Sequence, residues 1–211
     1  MSGLLDGKTA LVLGSGMGSD SVGRAVARGL KALGAKVETD AAHAEGADIV
    51  IIPVTDPGGL TPALLAEMDE DEWICRCEAP LRAVRVAMQQ AHAVLDGRGG
   101  SIVLLVPTIS MIGAAGFSHY SAVGEGARAL AKAAARGWGA KGITVNCLGL
   151  TSQQLCPDEE GQATLTKAPR ALDHVPDLET EIAGFIATLV TGPGIVTGMT
   201  IMVDGGDLMS V

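Results

Sequence analysis

Tyr120 is the sole tyrosine in 211 residues. A positioned phenol can hand a proton to a reacting oxygen or take one from it. Taking one requires a nearby cation that lowers its pKa from about 10. The next cations along the chain are Arg128 and Lys132, about 12 and about 18 Å away along a helix. Without an adjacent cation Tyr120 stays a neutral phenol at pH 7, able to donate a proton but a poor base. Thr108 and Ser110, just upstream, could set a hydroxyl beside it if their loop bends suitably. His119 is a neighbouring acid–base candidate, although a lone histidine on such a helix reads as structural or exposed.

A second group lies near the N-terminus. Gly14, Gly16, Gly18 and Gly23 follow an apolar run. Glycines in that place let backbone N–H groups and a helix N-terminus approach a pyrophosphate; they equally serve a tight strand–helix turn with no ligand. Asp20 lies inside this loop and would repel a phosphate unless it points outward. Asp40 is placed to accept from a ribose 2′-hydroxyl and so to select NAD, or simply to start a loop. Cys75, Cys77, Cys147 and Cys156 match neither a disulfide framework nor a zinc site. They read as buried or idle thiols of a cytoplasmic protein, and no metal is expected.

These groups must be positioned by alternating strands and helices, the α/β signature. Strands are predicted at Thr9–Leu13, Ala35–Thr39, Ile49–Val54, Ser101–Val106, Ile143–Leu148 and Thr200–Val203. Helices are predicted at Val22–Leu33, Glu72–Leu95 with Pro80 inside it, Ser118–Trp138 and Leu178–Val190, and Ser152–His174 reads as irregular and polar. Nearly continuous Val/Ile/Leu strands imply a parallel sheet covered on both faces, within one domain spanning 1–211. With 47% hydrophobic but 2% aromatic residues, the core must be aliphatic and close-packed. A net charge of −9 argues against nucleic acid and anionic membranes. No apolar run is long enough to span a bilayer.

Five segments, in order, resemble the short-chain dehydrogenase/reductase family: Gly7–Gly14, Gly100–Val103, Tyr120–Ala122, Gly142–Asn146 and Thr197–Gly206. The resemblance implies a Rossmann-like doubly wound sheet. Only Ala41–Ala47 stand where the family has a helix, an edge strand and another helix, so a shortened sheet of about six strands is expected. The alternative alignment deletes the family's fourth strand instead. The missing part normally walls the adenine pocket, and the loop from Gly14 to Gly23 is about three residues longer than the family's.

The resemblance implies hydride transfer with a nicotinamide cofactor, run by a tyrosine, a lysine one helical turn later, a serine before the tyrosine and an asparagine on the preceding helix. Carried over residue by residue, Tyr120 matches the tyrosine. The lysine position holds Gly124, the serine position Pro107 and the asparagine position Pro80. Three of four positions therefore lack the required side chain. Thr108, one residue from the serine position, is the better substitute, with Ser110 behind it.

What remains resembles assembly machinery. In this family, helices matching Ser118–Trp138 and Glu72–Leu95 pair across one interface, and the C-terminal strand forms another. The pattern is similar to the inactive subunits of heteromeric family members, such as the dehydrogenase for a hydroxyacyl-CoA intermediate of anaerobic toluene breakdown. The expected function is a pseudoenzyme that assembles, as in a heterotetramer, with an active NAD-dependent paralogue. This chain itself would hold no cofactor, or NAD(H) if any, with Gly14, Gly18, Gly23 and Asp40 as the contacts. Two alternatives stay open: a divergent oxidoreductase using Tyr120 with Thr108 or Ser110, and a ligand-binding module in the old cofactor cleft.

Overall fold

Six apolar runs form the sheet: β1 (Thr9–Val12), β2 (Lys36–Glu38), β3 (Ile49–Pro53), β4 (Gly100–Pro107), β5 (Ile143–Leu150) and β6 (Thr200–Met202). The structure is a computed structural model that describes residues 3–14, 22–54, 61–155 and 170–208. Every pairing is parallel, in the order β2-β1-β3-β4-β5-β6. β3 bonds directly to β1, with Ala10 opposite Ile49 and Val12 opposite Ile51. Between β2 and β3 the chain makes only one 3-10 turn, Ala41–His43. The strand beyond β2 is thus the one lost, and six remain as expected.

Helices cover both faces, which is why the central strands are apolar on both sides. On one face lie α1 (Val22–Ala32) and α7 (Ala183–Thr191). Val22, Val26 and Leu30 of α1 are buried at helical spacing and pack with Ile182, Ile186 and the strand residues Val12 and Ile51. Burying each such side chain contributes roughly 1.5–3 kcal/mol. The other face carries α3 (Ala79–Leu95) and α5 (Ser118–Trp138). There Val84, Met88, Ala91 and Leu95 meet Val123, Ala127, Ala131 and Ala134 over the sheet.

Three predicted segments differ in detail. The long helix starts at Glu70 and is interrupted: α2 (Glu70–Trp73) passes into a π turn at Ile74–Glu78 and then into α3. Pro80 explains the interruption. It lacks an N–H and its ring collides with the carbonyl four residues back. The π turn widens the ladder just ahead of it, with Ala79 N–H reaching the Ile74 carbonyl. The helix predicted from Leu178 likewise opens with a π turn, Leu178–Ile182, before α7. The stretch expected to be irregular from Ser152 begins with a short helix, α6 (Ser152–Leu155). A further short helix, α4 (Ile109–Ile112), follows β4.

Candidate functional site

Ligand sites of open parallel sheets lie beyond the carboxyl ends of the strands. At the ends of β1 and β3, between α3 and α5, lies a cavity of about 290 Å³. Leu13 and Gly14 line it from just past β1, Ile52–Val54 from the end of β3, Ala79, Pro80, Ala83, Val84 and Ala87 from α3, and Tyr120 and Val123 from α5. Cys75 and Arg76, both in the π turn, complete the wall. Gly14 adopts φ +73°, a left-handed turn that frees the chain from the end of β1. Two of the four positions that the resemblance matched to catalytic ones, Pro80 and Tyr120, therefore face one cavity.

The other two, Pro107 and Gly124, lie next to it and are packed against each other. A Cβ on Gly124 would stand 2.6 Å from the Ser110 Cβ, 2.7 Å from its Oγ and 3.2 Å from the Pro107 Cγ. No real side chain sits that close, so a residue larger than glycine here must move its neighbours. Ser110 is held in that place. Its Oγ lies 2.8 Å from the Pro107 carbonyl oxygen and 3.0 Å from Glu125 Oε1. Glu125 in turn takes two bonds from Arg128, at 2.7 and 2.6 Å. Arg128 Nε donates to Thr200 Oγ1 of β6 at 3.1 Å. The region where a lysine would extend is filled by α4 and its preceding proline, and the filling is tied through α5 to the last strand.

Thr108, the expected substitute hydroxyl, is 4% exposed and donates to the Leu150 carbonyl at 3.1 Å. Its backbone N–H bonds the same oxygen at 2.9 Å. The hydroxyl thus closes the β4–β5 pair, while Ser110 is the one beside Gly124. Tyr120 is 3% exposed and packs with Ile109 and Phe117. His119 is fully buried.

On the adenine side, Gly23 is buried in the first turn of α1, while Gly16, Gly18 and Asp20 lie outside the described residues. Asp40 is exposed, and its carboxylate caps the 3-10 turn, accepting from Ala42 N–H at 2.9 Å. His43 Nδ1 lies 3.2 Å from its second oxygen. Arg76 is engaged as well, with Nε 2.8 Å from Glu72 Oε1 and an N–H donated to the Thr61 carbonyl at 3.0 Å. Neither group presents a free charge to the cleft.

The described residues therefore do not fit the nicotinamide half of a dinucleotide. The lysine that the family resemblance calls for is absent, a Cβ at 124 already meets Ser110, and most of the described lining is apolar. Among the described residues no cluster of three or more metal-ligating side chains exists. Burial pushes the Cys147 thiol up to about 12. Burial and the neighbouring Glu78 carboxylate also raise Cys77. Cys75 is exposed.

Asn146 lies in β5, and the sequence names it only as the end of the Gly142–Asn146 segment. It is 2% exposed. Its Nδ2 donates to the Val196 carbonyl at 2.8 Å, and its Oδ1 accepts from Met199 N–H at 3.2 Å. It fixes the loop that leads into β6. That loop carries Ile195, 81% exposed, and Met199, 55% exposed. Among the described residues no helix is long and apolar enough to cross a membrane.

Residues 52–207 match the family model described as Enoyl-(Acyl carrier protein) reductase. The chain is 26% identical to the 3-oxoacyl-[acyl-carrier-protein] reductase FabG of Pseudomonas aeruginosa, over 98% of this chain and 99% of that protein. It is 29% identical to nodulation protein G of a Rhizobium species, over 84% of this chain and 71% of that one. Among solved structures, a variant short-chain dehydrogenase/reductase from Serratia marcescens superposes with a TM-score of 0.73 at 26% identity, covering 96% of this chain and 98% of its own. A member from Burkholderia xenovorans gives 0.75 at 23% identity, over 97% of both chains, a likeness of fold.

Proposed function

This chain belongs to the short-chain dehydrogenase/reductase family, and we propose that within it the chain is a catalytically impaired member that serves as an assembly subunit for a complete, NAD-dependent paralogue. The active partner would act on an alcohol substrate such as a hydroxyacyl-CoA. The reading rests on one observation: the Cβ of any residue at 124 would meet Ser110 at 2.6 Å. Loss of a lysine by substitution alone leaves a gap that reversion refills. Here the gap is closed by other parts of the fold, which marks a site no longer held open for cofactor.

Retained surfaces support the assembly half of this reading. Ile195 and Met199, 81% and 55% exposed, border the edge strand β6. Exposed apolar residues beside an open strand edge suit an interface.

The test is co-expression with complete family members, affinity purification and native mass measurement. The expected result is a hetero-oligomer whose turnover survives Tyr120→Phe in this chain and is lost when the partner's tyrosine is replaced. A homo-oligomer with turnover of its own would overturn the reading. A second reading, a divergent oxidoreductase using Tyr120 with Thr108 or Ser110, draws on the place Tyr120 keeps on the cavity wall. It requires activity that disappears in Tyr120→Phe of the isolated chain.

A further inference from the structure

We propose that the cavity at the strand ends is a binding site for a neutral, apolar molecule of about two fused rings, entered beside the π turn at Ile74–Glu78. The proposal rests on the reading that this cleft no longer holds a dinucleotide, and it adds what the cleft holds instead.

Size sets the first limit. The cavity measures about 290 Å³, about twice the ~150 Å³ of an engineered apolar cavity that binds benzene. It lies just below the ~300 Å³ at which small-molecule pockets commonly begin. One ring would leave it part-empty.

Chemistry sets the second. Leu13 and Val54 reach it from just past β1 and β3, Val84 from α3 and Val123 from α5, so aliphatic side chains meet the space from four parts of the chain. Apolar cavities hold water poorly, and empty apolar space forfeits dispersion contacts with its lining. An apolar occupant recovers both. Among the described residues, the polar side chains on the wall are those of Tyr120, Cys75 and Arg76. Arg76 is already neutralised by Glu72 at 2.8 Å, in a chain of net charge −9. An anionic ligand gains no partner there, and a neutral one loses nothing.

The third observation is the π turn itself. Turns of this kind recur at functional sites because they displace one residue from the helical ladder. Here the displaced segment carries Cys75 and Arg76 to the mouth of the cavity. Cys75 is exposed, so the mouth communicates with solvent.

The test uses the full chain and two readouts. The first is a fluorescence titration with the neutral probe N-phenyl-1-naphthylamine. Saturable one-site binding is expected, weakened by about tenfold or more in Ala83→Leu and in Val84→Trp, which fill the cavity from α3. A naphthalene sulfonate should compete about tenfold less well than neutral naphthol. The second readout needs no variant: a saturating neutral ligand should slow alkylation of Cys75 by iodoacetamide, read by peptide mass mapping. No saturable binding, or binding indifferent to Ala83→Leu with Cys75 alkylation unchanged, overturns the proposal. Competitive displacement of the probe by NADH at micromolar concentration overturns instead the prior reading that the dinucleotide site is lost.

Discussion

The Cβ that Gly124 lacks would lie 2.6 Å from the Cβ of Ser110. Each residue makes sense only through the other. A glycine in mid-helix costs about 1 kcal/mol relative to alanine, and here it makes room for a serine held by the Pro107 carbonyl and Glu125.

Gly124→Ala tests that relationship through stability. Helix propensity favours alanine by about 1 kcal/mol, whereas inserting a methyl into a packed site costs about 1–3 kcal/mol. The contact is with a Cβ next to backbone rather than with a flexible side-chain end, so crowding should win. Urea unfolding should show net destabilisation of about 1 kcal/mol. Ser110→Gly in the Gly124→Ala background should recover most of it in a double-mutant cycle. A stabilised Gly124→Ala protein would mean that the space is open. Gly124→Lys should likewise gain no oxidoreductase activity.

Asn146 should govern the loop that enters β6. Asn146→Leu leaves the Val196 carbonyl and the Met199 N–H without their partner, a loss of about 1–3 kcal/mol. Hydrogen exchange should accelerate at 196–199 more than in β4. Dissociation of the proposed hetero-oligomer, followed by analytical ultracentrifugation, should shift to higher concentration. Unchanged exchange at Met199 would contradict this role.

His174 gives a dependence on pH with a definite sign. Bonds to Glu181 at 3.0 Å and Asp173 at 3.2 Å raise its pKa. Its contribution is therefore complete below the ordinary histidine value of about 6.5 and fades as pH rises through the higher folded value. Glu181 is lowered, chiefly by the Asp177 N–H and then by His174. Its contribution is complete above the ordinary value of about 4.3 and fades as pH falls through the lower folded value. Both hold between those two ordinary values. The Tm difference between the native chain and His174→Gln should be larger near pH 5.5 than near pH 8.5. The reverse order would refute the pairing.

The thiols should separate by reactivity. With its pKa near 12, Cys147 is a thiolate in about one molecule in ten thousand at pH 8. It should resist iodoacetamide until the chain unfolds, while exposed Cys75 reacts in the folded protein. Labelling of Cys147 at the rate of Cys75 would require an opening of β5 that its full burial opposes.

Much of the fold was legible because strands and helices announce themselves by period. The short Ala41–Ala47 segment pointed to a lost strand beyond the second, with an alternative alignment left open; the pairing of β3 with β1 settles it. Ser118–Trp138 was bounded correctly by its flanking loops. The π turns were not legible, since one added residue in a turn leaves the apolar spacing almost unchanged. Pro80 is the one sequence signal near the first of them, and it marks a proline inside a helix without saying how the ladder accommodates it. At the site, order along the chain was what matched positions 80, 107 and 124 to the family's asparagine, serine and lysine. That Ser110 rather than Thr108 fills the vacated place depends on how α4 folds back, a tertiary contact with no local signature. The same holds for Arg76, whose charge is neutralised by Glu72, and for the cavity.

The most direct test of an impaired site is the steady-state rate of NAD(P)-linked alcohol oxidation and carbonyl reduction by the homogeneous isolated chain, assayed beside its co-purified complex. The expected result is no turnover above background for the isolated chain and normal turnover for the complex. Turnover by the isolated chain at ordinary enzymatic rates, abolished by Tyr120→Phe, would contradict it.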